Sequence, residues 1–280
     1  MACLGSAYTD FLEEGARFRA RVNHVEQAFA PLVPARAAVL ARPLASTGAW
    51  MPLVGYGTAV FRGREREGCL PLADAVRTAL RAGARLLDCS PDYGTQREVG
   101  AALREALAAG EVAGRSKLFV VSSVGAGTAE RMVWPAVGGA QELVAALRED
   151  VARTLEELGL EYLDALLLPY HPFAARSLGP EAIAAAWRAL EPLVGPNGPV
   201  RHLGVAGFSA AALAALDQDP GVTRRPDVCL TEMHPFHRDE ELLAYCQERG
   251  GTAAAAGGPI QVVAHSPLGR PGGWLIDGLG

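Results

Sequence analysis

From about residue 52 onward, short apolar runs alternate with longer amphipathic ones, and this alternation restricts the fold more than any other feature of the chain. Residues 118–124 and 162–168 are largely apolar over a strand's length, as expected of strands covered on both faces. Residues 142–158 between them repeat apolar side chains at helical spacing, and Gly159 is placed to stop that helix. The same reading predicts strands over 54–58, 85–90, 202–208, 228–233 and 260–265, and helices over 72–81, 96–107, 181–193, 210–216 and 239–249. Apolar strands linked by amphipathic helices imply a parallel sheet. Seven such alternations precede the last residue, whereas a closed barrel uses eight. The expected architecture is therefore an α/β fold, a (β/α)8 TIM-type barrel that is incomplete, with about seven βα units. A doubly wound open sheet competes, but no glycine-rich dinucleotide fingerprint follows any strand.

The amino-terminal part reads differently. Phe11, Phe18, Val22, Val25 and Phe29 recur at helical spacing over residues 8–30, and Pro31, Pro34 and Pro43 then break the chain into a linker. The expected division is a helical extension and linker over 1–50 and a barrel over 51–280. The low-complexity run GGTAAAAGGP, residues 250–259, reads as a flexible insertion or a splicing remnant between a helix and a strand.

Composition narrows the classes of partner. Half of the 280 residues are hydrophobic, enough for a large single core. A net charge of −5 and a pI near 5.7 give no basic footprint for nucleic acid or an anionic membrane. No apolar run reaches the roughly 20 residues of a membrane helix. Asp10, Glu13, Glu14 and Glu26 argue against a secretory leader or transit peptide, so a cytoplasmic location is expected. Cys3, Cys69, Cys89, Cys229 and Cys246 are odd in number and lack metal-type spacing, which predicts reduced, mostly buried thiols and no metal site. Nothing in the sequence specifies an oligomeric state.

Several blocks, taken in order, resemble the aldo-keto reductase family: MPLVGYGT at 51–58, RLLDCSPDY at 85–93 followed by Glu98-Val99-Gly100, LEELGLEYLD at 155–164, HLGVAGF at 202–208, TEMHP at 231–235 and AHSPLG at 264–269. The resemblance implies a (β/α)8 barrel with its site at the carboxyl ends of the strands. It also implies NADP-dependent reduction of aldehydes or ketones to alcohols, with a small carbonyl compound as substrate.

Carbonyl reduction requires a hydride donor, a proton donor and stabilisation of the developing oxyanion. By the resemblance, Tyr93 matches the family's proton-donating tyrosine and Asp88 the aspartate that holds a lysine beside it. The lysine position falls on Ser123 and the carbonyl-orienting histidine position on Pro169. A serine carries no charge to lower a phenol's pKa. Asp88 then needs protonation or another cation, such as Arg97. His171, two residues past Pro169, is a candidate surrogate for the histidine, set against its reading as a loop residue before Pro172. For the cofactor, Gly57, Thr58, Asp88, His265, Ser266 and Leu268 match family contacts. Ala206, Gly207 and Leu230 replace polar partners of the nicotinamide, and the segments that grip the adenine ribose 2′-phosphate are not matched, so the resemblance implies weak NADP(H) binding or none. Glu98-Val99-Gly100 reads as the start of a helix packed on the barrel, and Glu232 and His234 as structural. Three readings of function follow: a carbonyl reductase with a weakened site, a non-catalytic regulatory or scaffold member of the lineage, and an incomplete product of a longer gene.

Overall fold

The computed structural model describes residues 40–59, 70–125, 127–128, 139–170, 180–248 and 258–269. The expected helix over 8–30, His171 and most of the glycine-alanine run lie outside the described residues.

Two short strands, β1 (Ala41–Pro43) and β2 (Trp50–Pro52), pair antiparallel as a hairpin. Part of the segment expected to be linker thus carries regular structure. Seven further strands follow in chain order: β3 (Gly55–Gly57), β4 (Leu86–Asp88), β5 (Phe119–Ser123), β6 (Leu163–Pro169), β7 (Val200–Ala206), β8 (Val228–Glu232) and β9 (Gln261–His265). Each pairs in parallel with the next, giving one seven-stranded sheet. Between them run α1 (Leu72–Arg81), α2 (Gln96–Ala108), α3 (Gly139–Leu158), α4 (Pro180–Leu190), α5 (Ala210–Gln218) and α6 (Glu240–Glu248). The seven expected strands and the helices named above all form, with ends shifted by a residue or a few.

Strand periodicity sorts side chains into two cores. Leu87, Val120, Leu166, Val205 and Cys229 face outward and pack with Val76, Val99, Leu147, Trp187, Leu213 and Leu242 of the helices. Leu86, Phe119, Val121, Ala165, Leu167, Val228 and Leu230 face the other way, where no helix residue among the described residues joins them. A parallel sheet with helices on one face only buries its second face by curling on itself, which is the barrel solution. Leu44 and Met51 of the hairpin belong to this inner core and plug it. Thr47 Oγ1 lies 2.8 Å from His202 Nε2, and His202 Nδ1 lies 2.8 Å from the Asp164 carbonyl, so β7 ties the hairpin turn to β6.

Two glycines are fixed by geometry. Gly159 ends α3 at φ +66°, a region that side chains with a Cβ avoid. Gly100 lets α2 touch the end of α3: a Cβ there would lie 2.4 Å from the Glu157 carbonyl oxygen. The Glu98-Val99-Gly100 block accordingly sits in α2, with Val99 and Gly100 buried and the Glu98 carboxylate accepting the Ala73 N–H at 3.2 Å.

Candidate functional site

The register places the carboxyl ends of all seven strands on one rim. Asp88 pairs in register with Val121, and Ser123 lies two residues further along β5, on the same inward face. Pro169 pairs with Ala206, which pairs with Leu230, while Glu232 pairs with His265. The rim therefore gathers Gly57, Asp88, Ser123, Pro169, Ala206, Glu232 and His265, residues that are far apart in the chain. In barrels, this is where the strand ends and following loops can build a site.

Asp88 is the last residue of β4, and the Tyr93 side chain returns to it across a short 3-10 turn at Pro91–Tyr93. The Tyr93 hydroxyl donates to Asp88 Oδ2 at 3.3 Å. The Asp88 carbonyl accepts from both the backbone N–H and the hydroxyl of Thr58, at 3.0 and 2.9 Å. Thr58 is fully buried and its own carbonyl accepts from Thr95 Oγ1 at 3.2 Å. Thr58 thus fixes the end of β4 through its backbone and hydroxyl.

Burial raises the Asp88 carboxyl from the ordinary carboxylate range to about 6, against the lowering effect of the Tyr93 hydrogen bond. The same burial, with the Asp88 charge beside it, pushes the Tyr93 phenol above its usual value. Burial likewise pushes the neighbouring Cys89 thiol up to about 12, making it a protonated core thiol. The expectation of Arg97 as a cation for Asp88 is corrected. Arg97 is 74% exposed and its Nη2 pairs with Glu157 Oε1 at 3.1 Å, because its position on α2 points it across to α3.

Ser123 Oγ lies 2.7 Å from Ser90 Oγ. Ser90 is 4% exposed and also accepts the Asp92 N–H at 3.2 Å, capping the turn that carries Tyr93. Ser90 escaped the sequence reading, although its place before Pro-Asp-Tyr is a turn-capping signal. The neighbouring Ser122 faces outward and donates to Gln96 Oε1 at 3.2 Å. The loop after β5 is held by Asp150, whose Oδ2 accepts the Gly125 N–H at 3.0 Å.

Around the rest of the rim, Pro169 is buried at the end of β6, and the next residue, Tyr170, packs its ring 5.1 Å from that of Phe208. His265 ends β9 partly buried, with Nδ1 3.2 Å from Ser266 Oγ. Ser266 adopts φ +50°, uncommon for a residue with a Cβ, and its carbonyl closes a turn by accepting the Gly269 N–H at 2.9 Å. Leu268 is 74% exposed. Glu232 Oε1 and His234 Nε2 are 3.8 Å apart, while His234 and His237 bridge each other through their backbones. The structure thus brings Asp88 and Tyr93 into contact and joins Ser123 to Ser90. Gly57, Thr58 and His265 lie at or beside strand ends, and Ser266 and Leu268 lie in the turn after β9. No group of His, Cys, Asp and Glu suited to a metal occurs among the described residues. Cys89, Cys229 and Cys246 are buried and in no disulfide, as expected.

Fold and rim define an α/β barrel protein whose polar groups cluster at the carboxyl ends of parallel strands. The model of the aldo/keto reductase family matches residues 54–275, and the chain belongs to that family. It is 34% identical over 239 residues to aldo-keto reductase family 1 member A1 of Sus scrofa and of Homo sapiens, covering 81% of this chain and 64% of each relative. It is 32% identical over 236 residues to deoxymugineic acid synthase 1-B of Triticum aestivum, covering 81% of this chain and 66% of that protein. A crystal structure of a Bombyx mori aldo-keto reductase in complex with NADP is similar at a TM-score of 0.60 and 25% identity, over 82% of this chain and 67% of that one. The chain thus spans a little under two thirds of the length of the curated relatives it matches.

Proposed function

We propose that this chain is an NADP(H)-dependent carbonyl reductase with a weakened site, acting on a small aldehyde or ketone. The observation that carries this reading is the Tyr93 hydroxyl held 3.3 Å from Asp88 at the barrel rim, a phenolic proton donor where a reductase of this family needs one. Family membership and the NADP-bound structural relative support the cofactor assignment.

The donor set suits the nicotinamide end of the cofactor in part. The partly buried His265 ring offers a stacking surface. A Cβ on Gly57 or Gly207 would meet no atom within 4 Å, so the rim is open at both positions. Ser266 and Leu268 follow His265 and would complete that side. Ala206, Gly207 and Leu230 offer no side-chain donor to an amide, which favours weak binding. A reduced nicotinamide cofactor held by these residues would supply the hydride.

Tyr93 then donates its hydroxyl proton to the carbonyl oxygen. The phenolate left behind has no ammonium at position 123 to stabilise it, and an ionised Asp88 opposes it. When Asp88 is protonated, its carboxyl can donate back to the Tyr93 oxygen along the same contact. Reduction is therefore fastest below about pH 6 and falls as the Asp88 carboxyl ionises. Without a cation to tune the donor, the rate falls by about 10²–10⁴.

The test is NADPH-dependent reduction of small aldehydes with Tyr93→Phe beside the parent chain. Loss of turnover with unchanged NADPH binding supports the reading; turnover that survives the substitution rejects Tyr93 as the proton donor. A non-catalytic member of the lineage is the second reading, favoured by one observation: the hydroxyl at the lysine position is tied to Ser90. Stable folding with no aldehyde turnover at any pH would select it. We also propose a cytoplasmic location on either reading, which the buried, reduced thiols of Cys89 and Cys229 support. No helix among the described residues is long and apolar enough to cross a membrane.

A further inference from the structure

At the opposite end of the barrel, where the strands begin, a cavity of about 190 Å³ opens between the hairpin turn and the loops leading into β7 and β8. Its walls carry Ser46, Thr47, Arg201, Thr223, Arg224, Arg225 and Asp227. Among the described residues, three guanidiniums thus line one small space with a single carboxylate.

Each arginine keeps unused donors. Arg201 is oriented by carbonyl oxygens alone: its Nη1 donates to Gly195 at 2.9 Å, to Gly198 at 3.2 Å and to Pro196. Its guanidinium also lies over the Tyr162 ring, 4.3 Å from the centroid. Its charge is therefore held in place without a carboxylate partner among the described residues, and its Nε and Nη2 make no hydrogen bond there. Arg225 spends Nη1 on Asp217 Oδ1 at 3.1 Å and the Leu216 carbonyl at 3.3 Å, leaving its other two nitrogens. Arg224 is exposed, and its charge acts on the Asp227 carboxylate in the same cavity. Its backbone is fixed on both sides, by the Trp187 indole N–H on its carbonyl at 2.8 Å and by Glu191 Oε1 on its N–H at 2.7 Å.

The carboxylates nearby are engaged. Asp227 is held by the Ser46 hydroxyl. Glu191 accepts from the Thr223 hydroxyl at 2.9 Å and from two backbone N–H groups. Asp217 accepts from Arg225 and, at 2.5 Å, from the Tyr245 hydroxyl. The two carboxylates other than Asp227 lie outside the cavity lining.

Arginine forks with free donors on an already ordered backbone suit an oxyanion, which accepts paired N–H donors. The space is smaller than the ~300–1,000 Å³ of sites for drug-sized ligands, which favours a compact group over a whole dinucleotide. We infer that the basal cavity lined by Arg201, Arg224 and Arg225 binds a phosphate-type oxyanion, either free phosphate or the phosphate of a small monoester. This site lies at the end of the barrel away from Asp88 and Tyr93, and it does not depend on the reductase reading.

The experiment titrates the full chain, free of nucleotide, with inorganic phosphate and separately with glycerol 3-phosphate, against chloride at matched ionic strength. Calorimetry or amide chemical shifts of residues 222–227 give the readout. Saturable binding is expected with a Kd on the order of 1 mM. Arg224→Glu should weaken it by about tenfold or more, because it reverses an exposed charge in the cavity wall and sets a second carboxylate beside Asp227. Tyr93→Phe should leave it unchanged. If Arg224→Glu does not fold, Arg224→Gln serves for the same comparison. Tighter binding of the monoester than of phosphate identifies a metabolite-borne phosphate as the occupant, and equal or weaker binding identifies the free ion. No saturation beyond the chloride control, or saturation indifferent to the Arg224 substitution, overturns the inference.

Discussion

Ser123 Oγ sits 2.7 Å from Ser90 Oγ, and Ser90 in turn caps the short turn that returns Tyr93 to Asp88. The position where the resemblance calls for a lysine is thus occupied by a neutral hydroxyl that helps to set the tyrosine's turn. The positive charge expected beside Asp88 and Tyr93 is absent at that position, and both acidic groups are raised as a result of their burial.

Ser123→Lys would place an ammonium on the inner face of β5 beside Asp88. A cation within about 4–6 Å favours the ionised form of both carboxyl and phenol. Aldehyde reduction should then rise by about 10²-fold and no longer decline as pH passes 6. Initial rates with NADPH from pH 5 to 9 check this. Rates equal to or below those of the parent chain across that range would show that charge at position 123 is not what limits the site.

Asp88→Asn isolates the burial of the carboxylate. The folded pKa, about 6, exceeds the unfolded value near 4, so folding favours the protonated form. Any stabilisation from that form is complete below about pH 4 and is lost as pH rises through about 6; above that, burying the charged carboxylate opposes folding by up to about 3 kcal/mol. The asparagine variant, which cannot ionise, should therefore gain on the parent at pH 8 and show little gain at pH 4. Thermal melts at the two pH values give the comparison, and a gain independent of pH would contradict it.

Gly100→Ala tests the contact between α2 and α3. The new methyl would lie 2.4 Å from the Glu157 carbonyl oxygen and 2.8 Å from backbone atoms of Leu158. Backbone on both sides leaves little room to yield, so a loss of about 1–3 kcal/mol is expected despite alanine's better helix propensity. Urea unfolding measures it; a stabilised variant would mean that the two helices part at little cost.

Thr47→Val removes the hydroxyl that meets His202 while keeping the side chain's shape. His202 is 5% exposed, so its Nε2 loses a partner inside the barrel base. The expected loss is about 1–2 kcal/mol, with faster hydrogen exchange at the Gly48 and Ala49 amides that close the hairpin turn. Unchanged exchange there would show that Leu44 and Met51 alone hold the hairpin in place.

Much of the barrel was written in local pattern. Residues 162–168 are apolar enough to demand cover on both faces, and β6 is buried along nearly all its length. Gly159 marks the end of α3 because its φ excludes most other residues. The motif around Asp88 and Tyr93 was legible through its resemblance to the family's block, while the turn and its Ser90 cap that join the two residues came from the structure.

Other features depend on segments the sequence holds far apart. Ser90 and Ser123 belong to different strand ends, and only the parallel register sets them 2.7 Å apart. Arg97 is near Asp88 in sequence, yet the helix turns it toward Glu157 on α3. Arg201, Arg224 and Arg225 look like scattered surface charges until the starts of β7 and β8 and the hairpin turn close around one cavity. The sequence by itself determined the order of strands and helices, because periodicity acts over a few residues, and the family resemblance singled out Asp88 and Tyr93. Only the tertiary structure decided which charges meet and which stay unpaired, because those energies depend on distances and burial that arise when the sheet curls.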